Sequence, residues 1–103
     1  MTDKKISATF NLDEDVMLGD TILIPEGTEI TVRKPDSGAL RGLKIAGLVE
    51  LDVTQLEMLA PRITNPTIVK GARISGADLT QFGMEVQDFL LPKAAKPVFS
   101  PQS

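Results

Sequence analysis

A chain of 103 residues, 42% of them apolar, has room for one modest core and no second lobe. It holds neither cysteine nor histidine, and its aromatics are four Phe; this excludes disulfides, thiolate metal sites, the commonest general base and a stacking platform for single-stranded nucleic acid. The net charge of −3 is uneven, with seven acids against two bases in residues 1–32 and four bases against one acid in residues 33–45; a weak basic belt on an acidic body suits protein partners better than DNA.

In chain order, residues 4–12 alternate, with Ile6, Ala8, Phe10 and Leu12 on one side, which predicts a half-buried strand. Asp13, Glu14 and Asp15 break it and lack the spacing of a calcium loop, so they are expected to form a solvated loop. Thr21–Ile24 and Ile30–Arg33 are rich in β-branched residues and flank Pro25-Glu26-Gly27-Thr28. That pattern predicts a hairpin over residues 20–34. Residues 1–19 are read as an extension, with a third strand and a loose segment both left open.

Pro35 stops the strand, and Asp36 or Ser37 can cap a helix over 39–51, the stretch around which the chain is expected to be organised. Leu40, Leu43, Gly47 and Leu51 form one stripe, and Ile45, Leu48 and Val49 form a second beside it. A helix apolar on so many sides is buried or shared with a partner. Lys44 sits at the edge of the first stripe, either snorkelling or meeting an acidic partner.

Asp52-Val53-Thr54-Gln55 is a capping box for a helix over 53–60, with Val53, Leu56 and Leu59 inward and Pro61 as its stop. Asn65 as cap and Pro66 at the first position predict a short helix over 66–70. Asp78-Leu79-Thr80-Gln81 repeats the capping chemistry and opens a helix over 78–91. Its stripe is Leu79, Phe82, Val86, Phe89 and Leu90, while Met84 and Leu91 face away. Residues 92–103 hold three prolines and are expected to be a disordered tail, with Phe99 as either an idle side chain or a short anchor.

The expected architecture is α+β: an N-terminal β-hairpin, with or without a third strand, then a small bundle of three to four helices in a single domain over 20–91. No nucleophile–base pair, dinucleotide loop or P-loop occurs, so the chain is read as a non-enzyme with no catalytic, cofactor or metal residues. In a helix-turn-helix built from 39–51 and 53–60, the second helix, which must enter the major groove, would bring Glu57, and no Arg or Lys, to the phosphates. No apolar run reaches the ~18 residues of a membrane span, and MTDKKISATF lacks a signal-peptide core. The candidate partner-binding residues are Arg41, Lys44, Met84 and Leu91, although a solvated basic pair and two ordinary exposed apolar side chains would look the same.

Several stretches resemble one family. Val32-Arg33-Lys34-Pro35 followed by Gly38-Ala39-Leu40-Arg41-Gly42-Leu43, the preceding apolar strand with its Pro-x-Gly turn, Leu59-Ala60-Pro61-Arg62-Ile63-Thr64-Asn65-Pro66, and the Leu79-x-x-Phe82…Val86-x-x-Phe89-Leu90 pattern are similar, in order and spacing, to the tail assembly chaperones of Mu-like and related contractile-tailed temperate phages. The resemblance covers about residues 22–91; Ala60 departs from it, standing before the proline of the family's Leu-Pro-Arg-Ile-Thr-x-Pro stretch. It implies a protein of the host cytoplasm that binds the phage tape-measure protein and keeps it soluble. It also implies a longer, frameshifted form of the same chain as a further partner, and it leaves self-association open. A small structural protein of the tail or neck is the alternative.

Overall fold

The computed structural model describes residues 6–91; the expected disordered tail at 92–103 lies outside the described residues. The alternation at the start produces β1 (Ser7–Asn11), which turns Phe10 inward and leaves Thr9 and Asn11 exposed. Leu12, just past its end, is also buried, whereas Ile6 on the same side is 74% exposed. β2 (Val16–Leu18) and β3 (Thr21–Ile24) form a short antiparallel hairpin around Gly19, whose φ of +62° is a conformation that costs glycine little.

β4 (Glu29–Arg33) buries Ile30 and Val32 completely. Both strands of the expected 20–34 hairpin therefore exist, but they do not pair with each other. β4 runs antiparallel to β1, with Phe10 opposite Ile30 and Ala8 opposite Val32. The turn between the strands explains the exchange. Thr28 N–H donates to the Pro25 carbonyl, and Gly27 takes a φ of +83°. Gly27 N–H, however, goes to the Leu12 carbonyl, and Leu12 N–H goes to the Thr28 carbonyl. The turn thus prolongs the β1–β4 ladder, and the β2–β3 hairpin becomes an insertion at its tip.

The expected helix over 39–51 is also corrected. Its cap forms, since Asp36 Oδ1 accepts from Ala39 N–H at 3.0 Å. The chain then makes turns over 37–42, Gly42 reverses with φ +82°, and Lys44 is extended. What remains is α1 (Ile45–Val49), with Leu48 in the core and Ile45 54% exposed. Leu51 closes it at φ +62°, with Leu51 N–H on the Leu48 carbonyl and Asp52 N–H on the Gly47 carbonyl. That is the bonding of a Schellman cap with leucine in place of the usual glycine, at a cost of about 1–2 kcal/mol. The Leu51 side chain packs on Gly83, where a Cβ would come within 2.6 Å of Leu51 Cδ2.

α2 (Val53–Ile63) starts where expected, with Asp52 accepting from Gln55 N–H at 3.0 Å. Gln55 does not reach back; its Oε1 accepts from Lys44 N–H at 2.7 Å and ties α2 to the start of α1. Pro61 does not stop α2, which continues to Ile63 and buries Leu56, Leu59, Ala60 and Ile63. Val53, expected inward, is 53% exposed. The predicted helix over 66–70 is absent. Thr64–Asn65 forms β5 instead, paired antiparallel with β4, and the Asn65–Pro66 bond is cis. The buried Thr64 hydroxyl donates to the Ala60 carbonyl and accepts from Ile68 N–H, which fixes the exit from the strand.

α3 (Gly76–Leu90) begins two residues before the predicted start. Its stripe packs as expected around the fully buried Phe82 and Val86, with Leu79, Phe89 and Leu90 partly buried beside them. The architecture is therefore α+β, with antiparallel strands first and helices after. The described residues hold three helices, of which one is a single turn; they pack on one another, and α3 also packs on β1 and β4 of a sheet of order β1-β4-β5, so the helices and the sheet share one core in place of a separate helical bundle. Completely buried side chains such as Ile30 and Phe82 contribute about 1.5–3 kcal/mol each.

Candidate functional site

Among the described residues, no group of three or more acidic side chains could hold a metal ion, and no helix is long and apolar enough to cross a membrane. Asp13 and Glu14 are exposed. Their backbone N–H groups point inward and donate to Asp78 at 2.8 and 3.1 Å. Asp78 is fully buried and also accepts from Ser75 Oγ and Gln81 Nε2. The cap of α3 is Ser75, which accepts from Asp78 N–H. Asp78, expected as the cap, instead sits at the third helical position and clamps the loop after β1. A buried carboxylate is tolerable only when its oxygens are supplied with donors, and four surround this one.

The clamp orients the start of α3, and with it one wall of a cavity. This groove has a volume of 510 Å³ and lies between α2, residues 68–74 and the first two turns of α3. Ala60, Leu79 and Phe82 form its floor, and Ile68, Val69, Ala72 and Ile74 form the wall opposite α2. That wall is irregular chain, held by the Thr64–Ile68 bond and by mutual backbone bonds between Arg73 and Met17. A shallower depression of 250 Å³ continues along α2, and the two share Glu57, Met58 and Lys70. Arg62 lines the far end. Its Nη1 donates to the Ala39 and Arg41 carbonyls at 2.7 and 2.8 Å, and Arg33 donates to the Arg62 carbonyl. The basic belt of residues 33–45 therefore joins the end of the groove.

None of the four predicted contact residues lines this groove. Arg41 and Lys44 are exposed on the turns before α1. Met84, 57% exposed, lies on the outer face of α3, away from Phe82, whereas Leu91, expected to be exposed beside it, is half-buried and stands just past the helix end with extended backbone. The pairs fall on separate elements, although Gly83 against Leu51 and Gln87 Nε2 on the Val49 carbonyl pack α3 beside α1. The groove has no periodic signature: Ile68 and Ala72 belong to irregular chain, and only Thr54, Glu57, Met58, Pro61 and Arg62, at helical spacing, hint at an open side of α2.

Over 87 residues, covering 82% of this chain and 91% of the relative, the sequence is 29% identical to tail assembly protein E of Escherichia phage P2. It is 28% identical over 90 residues to tail assembly protein E′ of the same phage, covering 85% of this chain and 61% of that longer relative. No family model matches, and no solved structure matches. The resemblance to phage tail assembly proteins is borne out by these two relatives.

Proposed function

We propose that this protein acts in phage tail assembly as a non-catalytic chaperone, binding the tape-measure protein and keeping it soluble before tail-tube subunits polymerise around it. The observation that carries the reading is the similarity to tail assembly protein E across 82% of the chain. Surface composition supports it: Ile6, Ile22, Ile45, Val53 and Met84 are each more than half exposed on a small acidic fold. A long helical partner with apolar stripes aggregates unless small proteins cover it, and helix faces with spare apolar area suit that task. The match to the longer E′ across 85% of this chain supports an extended form of the same domain as a second participant.

Co-expression with the tape-measure protein of the same operon tests the function. The expected result is a soluble tape-measure protein that co-purifies with this chain; insolubility at every ratio removes the basis of the reading. Mature virions should lack the protein, whereas a fixed copy number in purified particles would favour a structural role in the tail or neck. Arg41, Lys44, Met84 and Leu91 are proposed as accessory contacts. Replacing Met84 and Leu91 together with Ser should weaken capture while costing the fold no more than about 1 kcal/mol. A large fall in melting temperature would show that they serve the core.

A further inference from the structure

We infer that the groove beside α2 seats an amphipathic helix whose apolar stripe is bordered by acidic side chains. This rests on the partner-binding reading above and assigns the surface and its chemistry. α2 presents Thr54, Glu57, Met58, Pro61 and Arg62 to the two depressions. These are positions i, i+3, i+4, i+7 and i+8, one face of just over two turns and about 12 Å long. A helix laid alongside answers that face with its own i, i+3 or i+4, and i+7 anchors. The volume of 510 Å³ is within the usual range of apolar binding sites. Met58, 41% exposed and unbranched, adapts to the shape of the incoming side chains.

The opposite wall argues for a helix over an added strand. Arg73 exchanges both its backbone groups with Met17, Ala72 N–H goes to the Val69 carbonyl, and Ile68 N–H goes to Thr64 Oγ1. These bonds interrupt any regular row of open donors and acceptors along the wall, and strand addition needs such a row.

The rim sets the sign of the partner. Lys70, Arg62 and Arg73 line the depressions against the single acid Glu57, on a chain whose net charge is −3. Both guanidinium groups donate to carbonyls, Arg62 to Ala39 and Arg41 and Arg73 to Gly19, and carbonyls leave the positive charge in place. An acidic flank is therefore attracted and a basic flank repelled. The chain's own residues 92–103 carry two lysines and no acid, the wrong sign for this rim.

The test uses the full chain and two labelled helical peptides of about 18 residues, long enough to hold a helix. They share one leucine stripe, flanked by Glu in one peptide and by Lys in the other. Fluorescence anisotropy at low salt should show the Glu-flanked peptide binding about tenfold tighter or better, with the gap closing as salt rises. Lys70→Glu should erase or reverse that preference, Met58→Glu should weaken both peptides about tenfold, and Met84→Ser should change neither. Equal binding of the two peptides, or indifference to both groove variants, overturns the inference. Phe99→Ser should leave affinity unchanged; a tenfold gain would put the chain's own tail in the groove and overturn it, as would a homodimer that Met58→Glu dissociates. Co-expression separates this from the wider reading. If Met58→Glu with Lys70→Glu still captures the tape-measure protein while Met84→Ser with Leu91→Ser does not, the groove is wrong and the chaperone stands. If the unaltered chain captures nothing, the chaperone reading falls.

Discussion

The starts of α2 and α3 share the run Asp-x-Thr-Gln, at Asp52–Gln55 and Asp78–Gln81, yet the two aspartates do different work. Asp52 is exposed and satisfies one amide of its own helix. Asp78 is buried, cedes the cap to Ser75, and gathers amides from a loop 64 and 65 residues away. Local capping chemistry is the same menu in both places. Tertiary position decides whether a carboxylate secures one turn or joins the two ends of the fold.

That contrast can be broken in order of size. Asp78→Ala strands the inward N–H groups of Asp13 and Glu14 and should cost about 3–5 kcal/mol in urea unfolding. Asp78→Asn should recover part of this, because the amide keeps one acceptor oxygen. Gly83→Val forces a branched side chain against Leu51 and Leu56, whose atoms stand 2.6 and 3.0 Å from the position of a Cβ; about 2–3 kcal/mol is expected. Gly76→Ala on the same helix meets nothing within 4 Å and should be neutral or slightly stabilising, which separates crowding from helix propensity. Asp52→Ala removes a solvent-exposed cap and should cost about 1 kcal/mol by the same measurement. Equal losses for Asp52→Ala and Asp78→Ala would erase the distinction.

Much of the element content was legible. Period-two alternation marks β1, β-branched residues mark β3 and β4, the Asp52 box marks the start of α2, and the Leu79–Phe82–Val86 stripe marks the inner face of α3. Pairing was not legible, because alternation tells which face of a strand is buried and is silent on its neighbour. β4 joins β1 because Phe10 and Ala8 offer Ile30 and Val32 a buried face. The organising helix over 39–51 failed at Gly42, where a positive φ outweighed a persuasive leucine pattern. The site was the least legible part. Met84 lies off the inner stripe and is exposed, but the groove is walled by irregular chain around Ile68 and Ala72, where neither helical nor strand periodicity operates.

The buried tie between residue 78 and residues 13 and 14 also imposes a timetable on synthesis. When β1 and the β2–β3 hairpin leave the ribosome, the carboxylate that answers the Asp13 and Glu14 amides has yet to be translated, and so has β5, the far neighbour of β4. Until α3 is available, the Asp13 and Glu14 amides have only water to bond, and the amino-terminal strands cannot complete their polar contacts.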